Sequence, residues 1–516
     1  MSRNDSFNLC NYFLGESRLS SIGNETAIAY RGDRLSYLDL RRLVDDWAAR
    51  LIESGVSAGD GVALLLYDSP IFIAAFLAGA AIGAVSLPVN TALSADEIQF
   101  IIADSGARLI ICEAELQAKL AGLKRGAGEA PAVCLVDGRR WSRDEILERD
   151  ESSEYAQTTS DSPAFMLYTS GSTGTPKGAL HRQGAPRDTA LTYGAKVLQL
   201  TKADRAYSSS RLFFAYGLGN SLTFPLAAGA TVILDCERPT PERIARIFAE
   251  QQPTVFFGVP AVYRALLDFD ANQELDTSSL RLCVSAGEAL PARIFEEWRD
   301  RFNLEILDGI GSTEMLHIFI ANRPNEARPG SSGRLVDGYR ARLLDESGRE
   351  VLADSGNLWV SGASAFMGYW NRADLTAATI QDGWVKTGDL YRRDDDGYYY
   401  HVGRSDDCFK VSGLWVSPIE VESVLAAHPA VVEAAVVSAI GADGLATARA
   451  FVVIRTVGDA DKIIAELKDF ARMRLPRYKA PSEICIVQGL PRTATGKVQR
   501  FKLRDLGVST TTEEKA

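Results

Sequence analysis

The sequence predicts an α/β protein: a large N-terminal doubly wound body followed by a smaller α+β C-terminal domain. Three observations carry this expectation. A chain of 516 residues exceeds what one core usually holds. Apolar strand-like runs alternate with helical patterns as far as about residue 400, and the texture changes after GRSDD (403–407) to a short, compact pattern. The expected division is therefore 1–405 and 406–516.

Residues 36–54 carry Leu38, Leu43, Val44, Trp47, Leu51 and Ile52 at helical spacing, and Gly55 is a natural stop. The strand VALLL (62–66) follows, then the charge-free run 71–85. That run is too short to span a bilayer, contains two glycines and leads into VSLPV, so it reads as a buried helix entering a strand. Ser94 with Glu97 opens the next helix, and RLIIC closes the unit. Such alternation implies parallel strands with helices on both faces. It returns in TVILD, a helix after Pro241, TVFFG, LRLCVS, a helix after Pro291, and LEILDG. Beyond 407 the pattern predicts a helix from about Ser417, strands near 431–438 and 449–455, a helix from about 461 and a strand at 483–487.

Composition excludes several classes of function. A formal charge of -11 gives no footprint for nucleic acid. Seven scattered cysteines without a C-x-x-C pair suggest neither a zinc ribbon nor a disulfide framework. The first residues lack the apolar core of a secretory signal, so a cytoplasmic protein without a membrane segment is expected, as monomer or homodimer.

The stretch YTSGSTGTPKGAL (168–180) is close to a Walker loop but fails it: Pro176 stands where the second glycine belongs, and Gly178 where the magnesium-binding hydroxyl belongs. What remains is three glycines, five hydroxyls and Lys177 after an apolar strand, a set that offers backbone N–H groups and side-chain donors to a phosphate chain. The bland alternative is a flexible surface loop.

TSGSTGTPKG resembles the phosphate-loop motif of the acyl-adenylate-forming (ANL) superfamily, which includes acyl-CoA and aryl-CoA ligases, peptide-synthetase adenylation domains and beetle luciferases. GSTE (311–314), KTGD (386–389), GRSDD with KVSG (403–413) and PRTATGK (491–497) occur in that superfamily's order, covering about 165–500. The resemblance implies the adenylate-forming fold, ATP and Mg²⁺ as requirements, and activation of a carboxylate as its AMP ester before transfer to a thiol. It implies nucleotide contacts from Thr169, Ser170, Gly171, Ser172, Thr173, Gly174 and Lys177, and from Gly287, Glu288, Asp308, Ile310, Asp389 and Arg404. Glu314 would hold the metal and Thr313 touch phosphate. Position 310 departs from the pattern, because Ile310 stands where Tyr or Phe commonly stacks on adenine.

By the same resemblance Lys497 is the catalytic lysine that offsets repulsion between carboxylate and α-phosphate, and Asp406 is the hinge about which the small domain turns. Lys410, Ser412 and Gly413 would then line the path of the CoA arm. Each has a plainer reading: a solubilising lysine, a linker acid, a loop. RLFFAYGLGN (211–220) with GIGSTEMLHIF is similar to benzoate-type CoA ligases, implying an aryl pocket of Ala215, Tyr216, Gly217, Gly309, Gly311, His317 and Ile318 in which a flat ring slides between glycine backbones. The expectation is an aryl-CoA ligase for benzoate, 2-aminobenzoate or a hydroxybenzoate. Its rivals are a freestanding enzyme that loads a carrier protein's phosphopantetheine, and a nucleotide-binding regulator without catalysis.

Overall fold

The computed structural model describes residues 6–123, 131–146, 155–170, 175–271, 273–351, 355–411, 414–441, 446–455, 460–492 and 498–509, with only the backbone for Ser170, Trp415 and 505–509. It divides into two compact units, Met1–Ala341 with Val360–Lys386, and Arg342–Trp359 with Thr387–Ala516. Asp406 lies inside the second unit.

The first unit holds two mainly parallel sheets. In the seven-stranded sheet the order is Gly368–Tyr369, Pro176–Arg182, Pro163–Ser170, Val85–Pro88, Gly61–Leu65, Leu109–Glu113 and Ala132–Val136. Pairing is parallel from Pro163–Ser170 to Ala132–Val136 and antiparallel at the other edge. In the nine-stranded sheet Thr26–Tyr30 pairs in parallel with Thr231–Leu234, and Leu282–Ser285 lies parallel between Val255–Gly258 and Ile306–Gly311.

Local chemistry explains the helices that pack on these sheets. Tyr37–Glu53 begins at a capping box in which the Ser36 hydroxyl accepts from Asp39 N and the Asp39 side chain accepts from Ser36 N. It buries Leu40, Leu43, Val44, Trp47 and Leu51. Pro70–Ala81 has proline in its first turn and is buried along its whole length, which is why the run needs no charged face. Among the described residues no helix is long and apolar enough to cross a membrane. Ala95–Ser105 starts at the expected Ser94–Glu97 box and stops at Gly106, whose φ of 64° is the left-handed C-cap geometry.

Two segments are π-helical: Ala190–Leu198 and Gly219–Thr223. Such wide turns are rare and tend to occur at functional sites. Both carry residues of the candidate site below.

The second unit contains the α+β pattern expected from its sequence. Pro418–Ala426 is capped by the Ser417 hydroxyl, which accepts from Glu420 N. Val431–Ile440 and Ala446–Ile454 pair antiparallel, Glu483–Ile486 adds in parallel, and Ala460–Arg472 follows the hairpin in sequence. Val421, Leu425, Val436, Val452, Leu467 and Ile484 belong to its own core.

Candidate functional site

The phosphate-loop motif is carried by a hairpin. Pro163–Ser170 and Pro176–Arg182 pair antiparallel, with Thr169 opposite Lys177 and Ser170 opposite Pro176. Gly171, Ser172, Thr173 and Gly174 lie outside the described residues, as does the Ser170 side chain. Lys177 Nζ donates to the Tyr369 hydroxyl at 2.8 Å and stands 4.1 Å from the centre of that ring. The same hydroxyl donates to Glu314 Oε1 at 2.5 Å. Two motifs separated by more than a hundred residues, TPKG and GSTE, are thereby joined through a tyrosine that sequence reasoning did not single out. No spacing rule marks it: Tyr369 sits in a two-residue edge strand.

His181, also missed, supports the second motif. Its Nε2 lies 2.9 Å from the Thr313 carbonyl, which can only accept, so the proton is on Nε2. Burial pushes its pKa down to about 3, so the ring is neutral. It stacks on Phe165 with centroids 5.0 Å apart. The sequence signal, one of only four histidines placed three residues after Gly178, was available but ambiguous.

Asp308 and Ser285 face one another on adjacent parallel strands. Asp308 is 5% exposed, and burial pushes its carboxyl well above the usual carboxylate range. In that neutral form it both donates and accepts. Gly287 and Glu288 are exposed on the turn after Leu282–Ser285, and Ile310 is half-buried.

The expected aryl pocket is built around His317. Its Nε2 is 3.3 Å from the Tyr216 carbonyl and 3.2 Å from Asn220 Oδ1. A backbone carbonyl only accepts, so Nε2 carries the proton and Nδ1 is a bare acceptor. Burial lowers the pKa to about 3 and keeps the ring neutral. Tyr193, Tyr216 and Phe224 enclose it, with ring centroids at 5.5, 5.5 and 4.5 Å. The Tyr216 hydroxyl is committed as a donor to backbone carbonyls, Gly258 O at 3.2 Å or Val284 O at 3.3 Å, which leaves it only lone pairs for a ligand. Ala215 is half-buried at the start of the Ala215–Leu218 turn, and Ile318 is buried against Gly309.

The expected pocket glycines are also places of close backbone approach. A Cβ on Gly311 would lie 2.6 Å from the His317 carbonyl carbon and oxygen, on Gly217 1.9 Å from Arg211 O, and on Gly309 2.9 Å from Ile320 O. These are backbone-on-backbone approaches. In the Cβ direction these glycines bring chain segments together, while Gly311 itself remains exposed.

Two buried polar atoms in this neighbourhood, Tyr193 Oη and His317 Nδ1, have no hydrogen-bond partner, whereas Ser285 lies close enough to Asp308 to interact with its carboxyl. Each such unpartnered atom costs about 1–3 kcal/mol, so the pair is a costly arrangement for a purely structural core. Tyr193 and Asn220 come from the two π-helical segments. Neither was legible in the sequence, because an apolar period marks a buried face without showing which of its residues meets a distant histidine.

The second unit gathers the remaining expected residues. Asp389 faces Arg404 across the pairing of Trp384–Arg393 with Tyr399–Arg404. Its Oδ1 lies 3.2 Å from Arg404 Nη1 and 3.4 Å from His401 Nε2. Burial alone would raise the Asp389 carboxyl, but His401 and the Arg404 guanidinium together hold it below the usual range. The two residues expected to meet ribose and phosphate thus contact each other here. Gly388, with φ of 77°, lets Arg404 approach: a Cβ would sit 2.8 Å from its Nη2. Asp406 is exposed in the turn before Phe409–Val411, and Lys410 pairs with Glu346 at 3.3 Å. Ser412, Gly413 and Lys497 lie outside the described residues.

Fold, motif order and these side chains define an adenylate-forming class of enzyme. The chain belongs to the AMP-binding enzyme family, which matches residues 17–370, with the AMP-binding enzyme C-terminal domain matching 420–497. It is 40% identical to the benzoate–CoA ligase of Thauera aromatica over 514 residues, 96% of each chain. Among solved structures it is similar to the anthranilate CoA ligase AuaEII in complex with anthranoyl-AMP, with TM-score 0.89, 34% identity and 98% of each chain covered. It is also similar to a benzoate CoA ligase from Burkholderia xenovorans LB400, with TM-score 0.87, 38% identity, and 96% of this chain and 100% of that one covered.

Proposed function

We propose that this chain is a cytoplasmic ATP-dependent aryl-CoA ligase acting on a benzoate-type acid. The carboxylate oxygen attacks the α-phosphorus of ATP, the bond to pyrophosphate breaks, and aryl-AMP forms. The thiolate of CoA then attacks the acyl carbon and AMP leaves. The observation that carries the aryl assignment is the pair of unpartnered buried atoms, Tyr193 Oη and His317 Nδ1, set among aromatic rings. A long aliphatic chain offers nothing to pair with them, whereas an amino- or hydroxybenzoate does.

In this reading Thr169 to Gly174 and Lys177 hold the β- and γ-phosphates, while Asp389 and Arg404 exchange their mutual contact for the ribose. Among the described residues no group of three or more metal-ligating side chains occurs. One half-buried carboxylate, Glu314, does suit an ion held mainly by phosphate oxygens, and Mg²⁺ bound there would neutralise charge on the departing pyrophosphate. Lys497 is the proposed stabiliser of the first step, and the segment from 406 onward is proposed to turn about Asp406 between steps. Lys410, Ser412 and Gly413 then border the pantetheine arm.

Pyrophosphate release tested with benzoate, 2-aminobenzoate, hydroxybenzoates, acetate and decanoate should favour the aromatic acids, and free CoA should yield aryl-CoA. Higher kcat/KM for decanoate than for every benzoate would reject the pocket. Aryl-AMP without aryl-CoA would favour carrier loading. His317→Leu removes the bare Nδ1 acceptor. It should lower kcat/KM for the preferred amino- or hydroxybenzoate about tenfold relative to benzoate, the size of one buried hydrogen bond. An unchanged ratio would place the ring substituent elsewhere.

A further inference from the structure

Tyr369 is held more firmly than a surface strand requires. Trp370 N donates to Gly178 O and Met367 N to Leu180 O, both at 2.8 Å, so the two-residue strand is locked to the hairpin that carries Lys177. Tyr369 N donates to Thr376 Oγ1 at 2.9 Å, and Phe366 N donates to Glu314 O at 2.7 Å. The Phe366 ring meets the tyrosine edge-on at 4.8 Å. The phenol is only 6% exposed, with its hydroxyl between Lys177 Nζ and Glu314 Oε1.

The direction of these hydrogen bonds is fixed by the groups present. An ammonium only donates and an ionised carboxylate only accepts, so the single phenolic proton goes to Glu314 and an oxygen lone pair receives Lys177. We propose that Tyr369 is a positioning residue: its hydroxyl sets the Lys177 ammonium and the Glu314 carboxylate in the arrangement that receives the nucleotide's phosphates. This rests on the adenylating reading of the site. Both side chains are long and rotamer-rich, and ordering them only when ATP arrives would cost affinity; a buried phenol fixed by its backbone orders them beforehand.

The test compares Tyr369→Phe and Tyr369→Leu with the unaltered protein. Both should weaken calorimetric binding of ATP with Mg²⁺, and raise KM for ATP, about tenfold or more, the size of a hydrogen bond to a charged group. KM for the aromatic acid and thioester formation from supplied aryl-AMP should be unchanged. In a Lys177→Met, Glu314→Leu background Tyr369→Phe should add almost nothing, because the hydroxyl acts through those two side chains. If Tyr369 merely packs, Phe binds ATP normally and Leu alone is impaired, or both half-reactions fall equally; either result overturns the proposal. Failure of the unaltered protein to exchange pyrophosphate with any benzoate would reject the ligase reading instead, and the calorimetric comparison would still judge Tyr369.

Discussion

Lys497→Ala is expected to slow aryl-AMP formation on the order of a hundredfold or more, while thioester formation from supplied aryl-AMP and CoA continues nearly unchanged. The first step brings a carboxylate against a phosphate, and two unit charges about 4 Å apart repel by about 4 kcal/mol at an effective dielectric of 20. A single ammonium that offsets part of this accounts for a hundredfold, since each factor of ten is about 1.4 kcal/mol. Once aryl-AMP exists, the two anions are joined and the repulsion is spent. Gly413→Leu should do the reverse, obstructing the pantetheine arm and sparing adenylation. Asp406→Pro, which restricts φ in the turn before Phe409–Val411, should hold the enzyme in the adenylating arrangement. Single-turnover kinetics of the separated half-reactions measure all three. Equal losses in both steps for Lys497→Ala and Gly413→Leu would reject alternation and leave one static site.

The parts of this protein that sequence could reveal are those whose causes are local. The Ser94–Glu97 capping box follows from neighbours within one helix, and the charge-free run of Pro70–Ala81 announces a helix without a solvent face. What local patterns could not assign is the sheet that each strand joins. Thr26–Tyr30 pairs with Thr231–Leu234 across some two hundred residues, and the alternation of helix and strand reads the same for one sheet or two. The site divides in the same way. Motif residues such as Glu314 and Lys177 were legible, but Tyr369, His181, Tyr193 and Asn220 acquire their roles from partners distant in the chain. The aromatic and glycine content of 211–220 was read as the start of an aryl pocket. Its meaning depended on what lay opposite: an arginine carbonyl against Gly217 and a histidine ring against Gly219.

Gly311 offers the sharpest test of that meaning. If the glycine bordered a slot for the substrate ring, loss of activity would grow with side-chain size: Gly311→Ala would be mild and selective against larger rings, and Gly311→Leu severe. The geometry predicts otherwise. Gly311 pairs with Ile318 in an antiparallel register, and any Cβ would press within 2.6 Å of the His317 carbonyl and 2.8 Å of Ile318 N, atoms of a buried strand that cannot swing aside. The first carbon therefore does most of the damage. Gly311→Ala should already lower kcat/KM for every aromatic acid on the order of a hundredfold, without regard to ring size, because displacement of His317 carries its Nδ1 away from the substrate. Gly311→Leu should be little worse. ATP binding measured by calorimetry should persist in both variants, which separates a shifted pocket from an unfolded unit. Near-normal turnover of benzoate by Gly311→Ala, with loss confined to substituted rings, would show that the glycine faces the ligand and that the spacing of the two strands is not what it protects.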